Sequence, residues 1–379
     1  EWDRSVSYRK YPNRAHTEHL GSSDEGDGWM FNVSKISQPF FFFGEAYSMA
    51  HNYNTSAIMA RGETNIDYAD KSRFFYELVD DNDDQDRFPD WQRIYEDMDV
   101  EVFPGYDENL DFISDFNQND SEDLPNLVPD YDEPFLRYGT DRPEFLFGID
   151  MNNNVWVDRF ENDDEPDFPY PRDHRGYNMY GGADLLPGIK LTLGRTDEEL
   201  IAGDGKNVTN YLLFALERDY PGIGRVKFFE NFRIAKDNIE NDLRQWSDTE
   251  RRNVPTIDPL AAQDTWITST YASFDYTGIE NTNIISKFKY DRWHQNERQP
   301  DLREDFTFFG LINKVDYERK IGYMDIMPRI KNELRLESPA LKADPKRRED
   351  ILLLGLLTRW PLFSSSSMQM GVEYTIFNQ

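Results

Sequence analysis

Apolar and polar residues alternate with a period of two along much of the chain. In "FTFFGLINKVDYE" the odd positions Phe309, Leu311, Val315 and Tyr317 are apolar, with Asn313 an exception among them, and the even positions Gly310, Lys314, Asp316 and Glu318 are small or charged. In "IMPRIKNELRL", Ile326, Ile330, Leu334 and Leu336 alternate with Arg329, Lys331, Glu333 and Arg335. Ile284, Phe288 and Tyr290 oppose Lys287, Lys289 and Asp291, and Met368, Met370, Val372, Tyr374 and Ile376 oppose Gln369, Gly371, Glu373 and Thr375. Two residues per repeat is the period of a strand, whose successive side chains point to opposite faces. Turn signals separate such runs: "PGIG" between "YLLFALERDY" and "RVKFFENFRIAK", "LLPG" before "IKLTLGR", and Gln38-Pro39 between "WMFNVSKIS" and "FFFFGEAYSM".

The connections alternate in length. Short turns ("LLPG", "PGIG", "TGIEN", "RKIGYMD", "WPLFSSSS") take turns with long polar loops ("HQNERQPDLRED", "ESPALKADPKRRED" and roughly 237–264). Strands of about ten residues with short turns at one end and long loops at the other resemble a bacterial outer-membrane β-barrel. The resemblance is one of pattern, and it implies an all-β fold: an antiparallel transmembrane barrel of about 14 strands or more, porin-like, lying in outer-membrane lipid. The first barrel strands fall in 1–50 and the remaining strands and loops in 176–379. Between them, 51–175 reads as a large acidic insertion on the extracellular side, with one candidate strand near 143–150 ("EFLFGI"). Aromatics at strand ends and loop bases (Trp2, Trp29, Tyr47, Tyr177, Tyr180, Tyr220, Trp293, Trp360) fit interfacial girdles.

Composition narrows the partners. The 379-residue chain carries a formal charge of −30, which excludes a phosphate-binding face for nucleic acid. It has no cysteine, hence no disulfide framework or thiolate chemistry. Aromatics at 15% argue against disorder. The opening "EWDRSVSYRK" has no apolar leader, as expected of a mature or truncated form. "ILLLGLL" falls far short of the ~20 residues a spanning helix needs. A mean hydropathy of −0.79 is compatible with a barrel, since a spanning strand shows lipid only every second residue.

Two stretches carry candidate metal chemistry. In "DMNNNVWVDRFE", oxygen-bearing side chains occupy places one, three, five, nine and twelve: Asp150, Asn152, Asn154, Asp158 and Glu161. In "NDDQDRFPD", Asn82, Asp84, Asp86 and Asp90 repeat places one, three, five and nine. Both have an aromatic at place seven, Trp156 and Phe88, where a calcium loop offers its backbone carbonyl. The loops resemble those of EF-hand, dockerin and thrombospondin type 3 repeats. They depart from them at place six, where Val155 and Arg87 stand instead of glycine, and the shorter loop has Arg93 at place twelve. The resemblance implies calcium as a cofactor that neutralises and stiffens the insertion; the plainer reading is solvated acidic loop.

The charged rows Lys287, Lys289, Lys314, Asp316, Glu318, Arg329, Lys331, Glu333 and Arg335 are expected to face an aqueous lumen, or a plugged one in which they pair with each other. In a soluble β-sandwich they would instead be a solvated face and the apolar rows the core. His16, His19, His51, His174 and His294 show no convincing ligand spacing, and no hydrolase, P-loop, zincin or dinucleotide motif is present. The expected function is therefore a non-enzymatic outer-membrane channel for small solutes with calcium-stiffened loops. The alternatives are a surface anchor or adhesive protein that works through its insertion, with other envelope or surface proteins as partners, and a secreted soluble calcium-binding protein.

Overall fold

In the computed structural model of the chain, the residues described are 2–12, 19–53, 57–61, 65–69, 74–76, 137–139, 141–145, 147–151, 153, 172–239, 243–247, 252–255, 262–297, 300–363 and 365–379. Among them, the strands in chain order are β1 (Trp2–Pro12), β2 (His19–Ser37), β3 (Phe40–Met49), β4 (Ala57–Arg61), β5 (Asn65–Ala69), β6 (Phe74–Tyr76), β7 (His174–Leu186), β8 (Ile189–Leu200), β9 (Lys206–Tyr220) and β10 (Gly224–Asp237). They continue with β11 (Leu243–Ser247), β12 (Arg252–Pro255), β13 (Asp264–Tyr276), β14 (Thr282–Glu297), β15 (Asp305–Tyr317), β16 (Arg319–Ile321), β17 (Met324–Ser338), β18 (Arg347–Phe363) and β19 (Ser366–Asn378). No α-helix occurs among the described residues.

One sheet dominates. Thirteen strands run in the order β1-β2-β3-β7-β8-β9-β10-β13-β14-β15-β17-β18-β19, each antiparallel to its neighbours, and three-residue β16 pairs with β17. Among the described residues, no pairing joins β1 to β19. This is the meander that the alternating sequence predicts. The turns at 38–39, 187–188 and 221–223 lie at one end of the strands, and Gly222 at the third has φ 76°. At the other end the long connections organise each other: Leu302 bridges Leu341, and Arg303 donates to the carbonyl of Pro339 at 3.0 Å. A small apolar cluster of Ala235, Ala262, Ile267, Trp293 and Leu302 lies at that end.

Two expectations change. The candidate strand near 143–150 is instead a 3-10 turn at Pro143–Phe145 followed by irregular backbone, because its alternate side chains dock onto the main sheet rather than into a ladder. The polar stretch 237–264 contains β11 and β12, and β11 pairs in parallel with β6, so a strand of the insertion joins that connection.

The faces of the sheet decide its environment. On β10 and β13 the buried rows include Asn231, Arg233, Asp237, Thr265 and Ser273, whereas Ile234, Trp266 and Phe274 point outwards and are exposed. On β17, β18 and β19 the exposed row holds Ile330, Leu336, Leu354, Leu356, Met370, Tyr374 and Val372, the last 72% exposed. Lys331, Glu333 and Arg335 alternate with that row and are buried. A soluble sandwich would bury the apolar row and solvate the charged one, so the sandwich expectation is reversed here. Apolar groups covering one continuous face of a sheet exceed what a monomer leaves in water.

Candidate functional site

The buried face of β14, β15 and β17 is rich in cations, and the register sets them close together. Lys314 stands directly opposite Lys331, and Asp316 opposite Arg329. Like charges placed directly across a ladder repel, more so away from water. Strand-borne acids offset part of this: Lys331 lies 3.2 Å from Glu333, Lys289 2.9 Å from Asp291, Arg329 3.2 Å from Asp316 and Arg335 2.7 Å from Glu349.

The remaining neutralisation comes from outside the sheet, from the segment 137–153. The Asp141 carboxylate is buried among three ammonium groups from three successive strands. Lys287 donates to its Oδ2 at 2.7 Å, Lys314 lies 2.8 Å from Oδ1, and Lys331 lies 3.6 Å from Oδ1. Burial opposes ionisation of this carboxyl, but Lys314, Lys287 and Lys331 outweigh it and hold the group far below the usual carboxylate range. Beside it, Tyr138 lies under the Arg329 guanidinium at 5.0 Å, and burial followed by the neighbouring Asp316 carboxylate pushes its phenol well up. Lys331 donates to the Arg137 carbonyl at 2.8 Å, Lys289 donates to the Glu144 carbonyl at 3.0 Å, and the Glu144 carboxylate pairs with Arg335.

The contact at Phe145 is one of shape. Gly310 is flanked in register by Lys289 and Arg335, so the buried face has a gap between two long cations. Phe145, 1% exposed, fills it: a Cβ on Gly310 would lie 2.5 Å from the ring Cζ. The ring meets Phe308 edge-on at 5.8 Å. Further on, Phe147 stacks on Tyr271 with ring centroids 3.8 Å apart.

The far end of the segment is locked to β9 and β10. Asp150 Oδ2 lies 3.0 Å from Arg233, both side chains 5% exposed, and the Asp150 carbonyl also accepts from Arg233. Asn153, in the left-handed region at φ 57°, accepts from Arg233 at 2.8 Å. Its amide donates to Asp237 at 3.0 Å and Thr209 at 3.2 Å. Asparagine tolerates that backbone conformation better than most residues. From Arg142 beside Glu349 on β18 to Asn153 beside β9, one short segment thus crosses seven neighbouring strands.

Of the residues expected to face a lumen, Lys287, Lys289, Lys314, Lys331, Glu333 and Arg335 are brought together on this buried face. Asp316 and Arg329 lie half-buried at its margin, and Glu318 is exposed beyond the strand end. Of the residues expected to bind calcium, Asp150 is engaged by Arg233 as described. Asn152, Asn154, Asp158, Glu161, Asn82, Asp84, Asp86 and Asp90 lie outside the described residues. Among the described residues, no three His, Asp or Glu side chains converge as a metal site. Sequence reasoning missed the docking residues Asp141, Glu144, Phe145 and Asn153. One signal in the sequence could have found them, the glycine in the charged row; the lysine facing a lysine across the ladder is visible only in the register.

No family model and no curated protein matches the chain. Among solved structures, OmpTdeltaL8, the loop L8 deletion mutant of OmpT, an outer membrane protein of Vibrio cholerae, aligns at 9% identity and a TM-score of 0.28, covering 100% of this chain and 92% of that chain. A likeness of that size carries no argument about activity. The expectation that the chain is not an enzyme is corrected at this point: a match to an outer membrane protein does not exclude catalysis, and that expectation is withdrawn.

Proposed function

We propose that the chain is an integral outer-membrane β-barrel of a bacterial cell, that its buried polar face lines the interior, and that small solutes pass through that interior past the segment 137–153. The observation that carries this reading is the inversion of the sheet: lysines, arginines and acids buried on one face, and aliphatic and aromatic side chains exposed on the other. Lipid is the environment in which such an apolar face is stable, and a closed antiparallel sheet is the strand architecture that leaves no backbone group unpaired there.

The segment across the inner face also favours a second reading, in which the interior is permanently filled and the barrel anchors a working insertion at the cell surface. Calcium at the two Asp/Asn loops belongs to the proposal on the strength of their spacing, as a cation that stiffens the insertion, with Asp150 left out of the ligand set because Arg233 holds it. The experiment is a detergent extract run boiled and unboiled, followed by reconstitution into a planar bilayer. A fast unboiled band that slows on boiling, with discrete conductance steps, supports the channel. The same band without conductance supports the anchor, and a protein that stays dispersed without detergent refutes both. Chelator treatment before protease tests calcium: increased cleavage confined to 51–136 and 154–173 is expected.

A further inference from the structure

We infer that Lys287, Lys314 and Lys331 form a binding site for a small carboxylate-bearing solute, and that Asp141 is its built-in occupant. The inference rests on the barrel reading for its direction, since it names the class of solute the interior would take. Three strands each contribute one ammonium group, at 2.7, 2.8 and 3.6 Å from a single carboxylate. All three lysines are buried, and Lys314 and Lys331 are held face to face by the ladder itself. The sheet therefore presents the cluster whether or not the segment is docked. Of its strand-borne acids, Glu333 touches Lys331, but the carboxylate on which all three lysines converge comes from the segment.

Asp141 is held there by chain contacts on both sides. Tyr138 and Phe145 are wedged against the sheet, and the Glu144 carboxylate sits on Arg335. A tethered carboxylate competes with a free one as if present at millimolar concentration or above. An entering carboxylate thus replaces Asp141 with no new desolvation of the lysines, which makes an anion the solute best able to pass the segment. Compact ammonium groups act as point charges and do not demand one ligand shape. The site is accordingly expected to accept several small polycarboxylates.

The test uses the full chain in detergent, with unboiled migration checked for each variant, and citrate as the probe in calorimetric titration at pH 7. Asp141→Asn removes the internal competitor and is expected to tighten citrate binding at least about tenfold over wild type. Adding Lys314→Gln to Asp141→Asn is expected to reverse that gain. Equal citrate binding by wild type and Asp141→Asn, or a gain that survives Lys314→Gln, overturns the inference. If Asp141→Asn gives no fast-migrating band, wild type carries the test. With free calcium held constant, citrate, and not chloride of equal ionic strength, is expected to speed tryptic cleavage after Arg137, and an unchanged rate overturns the inference. The barrel reading fails separately, through loss of heat-modifiable migration in the wild-type protein.

Discussion

The docking of Phe145 into the gap at Gly310 can be tested by filling the gap. In Gly310→Ala the new methyl would lie 2.5 Å from Phe145 Cζ, 2.8 Å from Cε1 and 3.0 Å from Phe308 Cε1. Ordinary contact begins near 3.4 Å, so the Phe145 ring must retreat by about 1 Å, and a close-packed interior resists that. Overpacking of this kind costs about 1–3 kcal/mol. Alanine in a strand recovers roughly 0.5–1 kcal/mol relative to glycine through the unfolded chain. That gain stabilises the sheet whether or not the segment is docked, whereas the clash acts on docking alone. Undocking should therefore become easier by about 1–3 kcal/mol, a roughly 5- to 150-fold larger open population. The assay is the rate of tryptic cleavage after Arg137 under native conditions, where cleavage reports the open population when reclosing is fast. Phe145→Ala raises the rate on its own, and Gly310→Ala added to Phe145→Ala should raise it no further. Equal effects of Gly310→Ala with and without Phe145 would refute the knob-in-hole account.

Other consequences can be checked with the same preparations. The folded-state carboxyl of Asp141 titrates below its unfolded value, so its contribution to docking is complete above pH ~4 and fades as the solution becomes more acid; cleavage after Arg137 should be flat from pH 7 to 5 when normalised to trypsin activity, and hydrogen exchange across 137–153 should accelerate only below about pH 4. Arg233→Met strands the buried Asp150 carboxylate, at a cost of about 3–5 kcal/mol, and should release 147–153 to exchange while leaving Phe145 protected. Leu354→Arg places a charge on the exposed apolar row opposite Ile330, and refolding into lipid vesicles should weaken by ~2–4 kcal/mol if that row meets the bilayer centre. Unchanged vesicle refolding would count against the lipid-facing assignment.

Much of the sheet was legible because strand formation is local. Ile330 and Lys331 announce opposite faces by adjacency alone, and the "PGIG" turn fixes the β9–β10 register without reference to the rest of the chain. The segment 137–153 was not legible in that way. Its sequence offers only the short apolar run "EFLFGI" as a local signal, and what fixes it is a set of partners far along the chain: Lys287, Lys314 and Lys331 for Asp141, Gly310 for Phe145, Arg233 for Asp150. The first loop place at Asp150 illustrates the difficulty. An oxygen at calcium spacing is also an oxygen at ion-pairing distance from an arginine, and only the fold says which partner it meets.

The pairing of β3 with β7 has an evolutionary consequence. Tyr47 faces Gly176 across that ladder, and everything in 50–173 leaves and rejoins the sheet at adjacent strands. The entropy of closing such a loop grows only with the logarithm of its length, and each doubling costs roughly 0.6 kcal/mol. Lengthening or trimming the outlying parts of the insertion is therefore nearly invisible to the sheet, provided 137–153 keeps its contacts. The seam is a place where lineages can exchange what the insertion carries without redesigning the body that carries it.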